Sequence, residues 1–394
     1  MSRLEIKNGS GNGRHTVAVL GTLPPLKGLS SYCLEFAKAL SLVSTVKFIS
    51  FKSLYPAWLY PGGQQLTDNS FPSGVCDGIE VSIRLTWYNP ATWMRVGRKT
   101  DADLLHAQWW SLPLFPVFFC ICCLFKIRKK PVVITIHNVI DHSRSSLYSF
   151  FSGILYKLGD HFIVHTRQNM KQLTECFGIS TERITVIPHG PLDFFKHESA
   201  DRIALRSEYG IGEHETLLLL FGAIRPYKGI KTALKAFQLI QQEIPDCRLM
   251  IAGRLWEDWA PYQELIRELN ISDSIITVLD YIPSSDVHVT FTMADLVLLP
   301  YTHFDSQSGV GATAVSFRKP LIVSDTGGLP DLVENKGYIV PPGDPGALSC
   351  AVLKALKSPG ELSKMARDAD ASARDMSWES IAEKTYAVYD RVCK

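Results

Sequence analysis

Short apolar runs alternating with helical stretches from end to end constrain this chain more than any other feature. In the first half the runs are Thr16–Gly21, Val46–Phe51, Asp103–Ala107, Val132–His137, His161–His165 and Ile184–Pro188. In the second half they are Thr216–Gly222, Arg248–Gly253, Ile275–Leu279, Asp295–Tyr301, Pro320–Ser324 and Tyr338–Val340. Most are continuously apolar rather than alternating, the pattern of strands covered on both faces and so of parallel sheets. Helical stretches such as Ser30–Val43, Ile230–Ile244 and Asp344–Leu356 fall between them. The βαβα succession occurs twice, which predicts an α/β chain of two Rossmann-like, doubly wound domains. The pattern breaks at PLDFFKHESA, residues 191–200, so the first domain is expected to cover 1–195 and the second to begin at 196.

Length and charge narrow the functional classes. A chain of 394 residues can bury more than one core. With 46% hydrophobic and 20% charged residues, it is not a disordered, charge-rich chain. A nucleic-acid partner is not expected, because 41 basic against 39 acidic residues leave a net charge of only +2, with no excess to neutralise phosphates. Nine cysteines without framework spacing, and a polar N-terminus lacking an apolar signal segment, predict reduced thiols and a cytoplasmic location.

Cys120, Cys122 and Cys123 lie in the apolar run Leu112–Phe125 with no further ligand at suitable spacing. They read as small buried hydrophobes, and no metal site is expected. The run is shorter than the ~20 residues needed to span a bilayer and reads as a buried helix. Because Lys126, Arg128, Lys129 and Lys130 follow at once, peripheral contact with an anionic inner membrane face stands as the alternative.

Ligands of doubly wound sheets bind beyond the carboxyl ends of the strands, so the loops after strands hold the candidate site. Gly21 to Gly28 is a βα turn in which Gly28 can let backbone approach a ligand. FGAIRPYKG places Arg225 and Lys228 just before a helix start, where dipole and free N–H groups favour an anion and repel cations. PYTHFDSQSGVGAT offers the backbone of Ser308, Gly309 and Val310 to a second phosphate, and SDTGGLP adds Gly327 and Gly328. Together these loops describe a diphosphate-bearing ligand. His106 and His137 are each expected to close a strand of the first domain, and His189, at the domain junction, can face the cleft as well. His142, His161 and His165 carry no such context and read as structural.

The order of these loops resembles the retaining family-4 glycosyltransferases of the GT-B fold. ITIHN, VIPHG, FGAIRPYKG, the long run from PYTHFDSQSGVGAT to TGGLPDLV and the closing SWESIAEKTYAVYDRV carry the resemblance. It implies an acceptor-binding first domain, a second domain over 196–376 that binds a nucleotide-sugar donor, and a last helix at 377–394 crossing back to the first. Arg225 and Lys228 would then hold the donor diphosphate, His137 would lie near the transferring sugar with Asp305, and Thr313, Gly327 and Gly328 near ribose and sugar. The acceptor would be a glycan or a lipid-linked glycan, a role to which Trp87, Trp93, Trp109 and Trp110 can contribute stacking faces. No cofactor is implied beyond the nucleotide-sugar co-substrate, and no Asp-x-Asp triplet occurs in a candidate loop.

Two departures stand out. Asp305 and Thr313 replace the family's two glutamates, of which the second normally takes the ribose hydroxyls. Arg225 lies nearer the lysine than in many members. The alternatives to transfer with retained configuration are a catalytically silent binder of glycans or partners, and a nucleotide-sugar epimerase.

Overall fold

The computed structural model describes residues 14–394 except 27–28, 55–77, 140–145, 191–200 and 284. Gly28 and the boundary expected near 195 therefore lie outside the described residues. In the first half, β1 (Thr16–Leu20) leads through α1 (Ser30–Val43) to β2 (Thr45–Ser53) and β3 (Glu80–Thr86). The chain returns through α2 (Pro90–Lys99) to β4 (Leu104–Trp109). It then winds outward through α3 (Phe115–Ile127), β5 (Val132–Ile136), α4 (Ser146–Tyr156), β6 (His161–Val164), α5 (Arg167–Phe177) and β7 (Ile184–Val186). The sheet has the order β3-β2-β1-β4-β5-β6-β7, with every pair parallel.

The second half repeats this scheme. After α6 (Arg202–Glu208) come β8 (Thr216–Phe221), α7 (Ile230–Glu243), β9 (Cys247–Ala252), α8 (Ala260–Glu268), β10 (Ile275–Val278), α9 (Val287–Met293) and β11 (Leu296–Leu299). α10 (Gly309–Ser316), β12 (Leu321–Ser324), β13 (Ile339–Val340), α11 (Pro345–Lys357) and α12 (Glu361–Asp375) follow. The order β10-β9-β8-β11-β12-β13 reverses between β8 and β11 as the first sheet reverses between β1 and β4, and such switch points open ligand crevices.

β3 was absent from the expected strands. Its sequence, EVSIRLT, is an edge strand exposing Glu80, Ile83 and Arg84, so it lacks the doubly covered apolar signal. His106 is also mid-strand rather than terminal, because β4 runs on through Gln108 to Trp109. Trp109 is fully buried, and Trp93 is buried with its indole N–H donating to the Thr86 carbonyl at 2.6 Å. Neither is open to an acceptor.

α13 (Trp378–Val392) starts where the Ser377 hydroxyl accepts from the Ser380 N–H. It crosses to the first domain, where Trp378, Ile381, Val388 and Tyr389 pack with Tyr32, Phe36 and Leu40 of α1 and Val17 of β1. α3 buries Val117, Phe118, Ile121, Cys122 and Phe125, but Cys120 and Cys123, expected buried with Cys122, are only half-buried because they lie off the face turned to the sheet. Its basic sequel is largely paired: Lys126 reaches both Asp160 oxygens at 2.6 and 2.9 Å, Arg128 donates to the Gly97 and Thr100 carbonyls, and Lys130 lies 3.8 Å from Asp103. Among the described residues no helix is long and apolar enough to cross a membrane.

Candidate active site

The loop after β8 makes one tight turn, Pro226–Lys228, and ends at Gly229 with φ +71°. A Cβ there would stand 1.8 Å from the Pro300 carbonyl oxygen, so only glycine lets this loop lie against the end of β11. The turn directs Lys228 inward, leaving it 5% exposed. Its ammonium donates to the Tyr301 hydroxyl and lies 4.3 Å over that ring. The Tyr301 hydroxyl is 3.1 Å from Ser308 Oγ, which accepts from the Gly311 N–H at 3.2 Å and so caps α10. Loss of hydration disfavours the charged ammonium, and burial, followed by the nearby Arg225, pulls the Lys228 pKa down to about 7. A desolvated cation beside a helix N-terminus is an arrangement suited to an anion.

The other donor-side residues surround this point. Val310 lies beside Gly222, whose missing Cβ would be 2.9 Å from Val310 Cγ2 and 3.3 Å from Lys228 Nζ. Gly309 and Val310 begin α10. The Arg225 guanidinium stacks on Trp256, its Cζ 3.6 Å from the ring centre. Thr313 is 3% exposed and turns its hydroxyl back to the Gly309 carbonyl at 2.8 Å, so its one O–H is already engaged within the helix. Gly327 (φ +58°) and Gly328 pass close to the loop after β11, where the Gly328 N–H donates to the Ser306 carbonyl at 2.9 Å.

That loop also joins the two domains. The Ser306 hydroxyl donates to the His137 carbonyl at 2.8 Å, and Gln307 Oε1 accepts from the His189 N–H at 2.6 Å. Asn169 Nδ2 donates to the Asp305 carbonyl at 2.6 Å, and Gln172 Nε2 to Asp305 Oδ1 at 3.3 Å. The Asp305 carboxylate is thus held by α5 of the first domain. Neither Ser306 nor Gln307 was among the expected site residues, and nor were Asn169 and Gln172.

On the first-domain side a histidine cluster encloses Tyr32. His137, His165 and His189 have ring centres 4.9, 5.5 and 4.7 Å from that of Tyr32, and Trp378 of α13 closes the group at 5.3 Å. His165 Nδ1 lies 3.0 Å from the Ile187 carbonyl, an acceptor only, so this nitrogen carries the hydrogen. Its Nε2 then accepts from His137 Nδ1–H at 3.1 Å. The remaining His137 nitrogen, Nε2, lies 2.9 Å from Gln108 Oε1. With the ring's hydrogen on Nδ1, this contact is a hydrogen bond when the Gln108 amide is turned to present its NH2 group, an assignment set by the hydrogen-bond network.

Burial, followed by the neighbouring His165, holds the His137 pKa well below the ordinary value. Burial lowers His165 to about 3 and His189 to about 4. The cluster is therefore neutral at pH 7, and both His137 nitrogens are occupied. His165 and Gln108 were missed. His165 follows β6 as His137 follows β5, so the same strand-end rule would have found it. His106 belongs elsewhere: it is fully buried, with Nδ1 2.6 Å from the Tyr389 hydroxyl and Nε2 2.7 Å from Thr135. It ties α13 to the sheet and does not face the cleft.

Two family models match in tandem. The one described as Glycosyltransferase Family 4 covers residues 61–191, and the one described as Glycosyl transferases group 1 covers 201–376. The chain belongs to the family-4 glycosyltransferases. A D-inositol 3-phosphate glycosyltransferase of Corynebacterium glutamicum is 26% identical over 74% of this chain and 73% of its own length. A glycogen synthase of Mycobacterium tuberculosis is 27% identical over 74% and 69%. A D-inositol 3-phosphate glycosyltransferase of Segniliparus rotundus is 26% identical, and there the match spans only 53% of the relative.

Among solved structures, Anabaena Alr3699/HepE in complex with UDP superposes with a TM-score of 0.73 at 15% identity, over 96% of this chain and all of that one. WaaG, described as a glycosyltransferase involved in lipopolysaccharide biosynthesis, has a TM-score of 0.63 at 15% identity, over 94% and 99%. These likenesses show the GT-B fold.

Proposed function

We propose that this glycosyltransferase moves a sugar from a nucleoside-diphosphate donor to a hydroxyl of a glycan or lipid-linked acceptor, with retention of anomeric configuration. The observation that carries the reading is Lys228, a nearly buried ammonium beside the N-terminus of α10. The relatives' names, and the UDP and UDP-glucose complexes of the Anabaena protein, support the donor class. As the bond to the sugar breaks, charge grows on the diphosphate oxygens. Lys228, Arg225 and the N–H groups of Ser308, Gly309 and Val310 are fixed before the reaction and stabilise that charge without reorganising. The reading assigns this role to side-chain cations and backbone dipoles, with no metal or cofactor invoked.

His137 is neutral with both nitrogens engaged, so its imidazole shapes the sugar pocket rather than relaying a proton. Asp305 orients the sugar. The acceptor hydroxyl attacks from the face the diphosphate leaves, and a phosphate oxygen takes its proton. A thermal-shift panel of UDP-, ADP-, GDP- and dTDP-sugars tests the donor class, because a ligand binding only the folded state raises its melting point. No shift with any of them overturns the reading.

A catalytically silent binder is the second reading, favoured by the engaged Thr313 hydroxyl. Thr313→Glu restores a carboxylate at the proposed ribose position. It is expected to tighten UDP binding by about tenfold, the effect of one charge-assisted hydrogen bond, as read by calorimetry. Weaker binding would remove Thr313 from the ribose site, and turnover appearing only in the variant would favour the silent reading.

A cytoplasmic location with peripheral membrane contact belongs to the same proposal. Ile127, Leu147 and Phe150 are 75%, 61% and 63% exposed on α3 and α4. Flotation with vesicles rich in anionic lipid is expected to carry the protein, and Phe150→Ser with Leu147→Ser to abolish it. If the wild type stays at the bottom of the gradient, membrane contact is refuted.

A further inference from the structure

The loops after β8 and β9 are joined beyond the ends of their strands. The Ile224 N–H donates to the Arg254 carbonyl at 2.8 Å, the Trp256 N–H donates to the Ile224 carbonyl at 3.1 Å, and Ile224 pairs with Leu255 in a parallel bridge. This ladder fixes Trp256 beside Arg225, with the guanidinium carbon 3.6 Å from the indole centre. At that distance the two planes are in van der Waals contact. A guanidinium keeps all its N–H donors in its own plane, so stacking leaves the donor edge turned aside from the ring.

Arg225 also begins the turn that ends at Lys228, whose N–H donates to the Arg225 carbonyl at 3.0 Å. Arg225 acts on the Lys228 ammonium electrostatically. Backbone and charge therefore link the two cations, while the indole restrains only the first.

We propose that Trp256 is a positioning residue for the donor diphosphate. Its ring holds the Arg225 guanidinium edge-on to the anion site that Lys228 and the start of α10 define. Ordering a long, rotamer-rich side chain costs entropy on each binding event, and a ring in contact with the guanidinium removes part of that loss. A guanidinium–indole contact is among the stronger cation–π pairs. This inference rests on the nucleotide-donor reading and deepens it by assigning a specific role to an aromatic residue outside the phosphate loops.

The test is a double-mutant cycle with UDP as the calorimetric probe, accompanied by melting curves. Trp256→Leu, which keeps an apolar body but no π face, is expected to weaken UDP binding about tenfold. Trp256→Phe is expected to remain within about threefold of wild type. In an Arg225→Met background, Trp256→Leu should have no further effect, because its action runs through the guanidinium. If Trp256→Leu weakens UDP equally in both backgrounds, Trp256 acts on the ligand directly and the proposal falls. It falls equally if Trp256→Leu binds UDP as wild type does. Should Trp256→Leu fail to fold, the cycle is run with Trp256→Met, which likewise lacks a π face, and the same non-additivity is required. If wild type binds no UDP, the donor reading itself fails, a result distinct from additive losses in a protein that binds it.

Discussion

Replacing Lys228 with Ala is expected to lower kcat/KM for sugar transfer by about 10²–10³-fold, the loss typical of removing one fixed donor from a developing oxyanion. The melting temperature should rise or stay level, because the ammonium is a burden to the unliganded fold. Its pKa is about 7 in the folded chain against an ordinary lysine value of 10.5. Between those values the unfolded chain binds more protons, so this group's contribution to stability improves as pH rises from about 7 towards 10.5 and is least favourable below 7. Nucleotide binding follows the opposite trend, because the anion requires the protonated form. UDP affinity is expected to be highest below pH 7 and to decline above it, with proton uptake on binding visible as a buffer-dependent calorimetric enthalpy. Lys228→Ala should lose this uptake. Full activity in the variant, or UDP binding by wild type without proton uptake at pH 8, would remove Lys228 from the phosphate site.

Gly229→Ala is expected to destabilise the protein by about 3–5 kcal/mol, the range of the severe single substitutions, and to abolish UDP binding. Two effects add. The residue has φ +71°, which costs a side chain about 1 kcal/mol. The new Cβ would also stand 1.8 Å from the Pro300 carbonyl oxygen, a backbone atom that moves only if the loop carrying Lys228 lifts away. Gly210 and Gly343 separate the two effects, since both have positive φ with nothing within 4 Å of an added Cβ. Alanine at either should cost about 1 kcal/mol and leave binding intact. Chemical denaturation of the three variants measures this. If Gly229→Ala matches the other two, the loop does not depend on that close approach.

The sheets were legible because their central strands are covered on both faces and so consist almost wholly of apolar and β-branched residues, as TLLLLF in β8 and VVITI in β5 show. β3 was not, because an edge strand has one open side and its polar residues break the run. Lys228 was legible for an electrostatic reason, a cation placed at the positive end of a helix. The Ser306 and Gln307 contacts were not, because a bond between domains leaves no periodic trace in either partner. His106 marks the limit most clearly: it was expected to close a strand as His137 does, but β4 runs on to Trp109, and only the fold shows it turned towards Tyr389.

The return of α13 to the first domain has a consequence for biosynthesis. Domains commonly fold as they emerge, N-terminal first. Here Trp378, Ile381 and Tyr389 complete the core around β1 and α1, yet the ribosome makes them only after the whole second domain. Until then the nascent first domain carries an open apolar flank along Tyr32, Phe36 and Leu40, and His106 lacks its tyrosine partner. The Tyr32 histidine cluster can settle only when that late helix docks. Its docking therefore joins the maturation of one half of the active site to completion of the other.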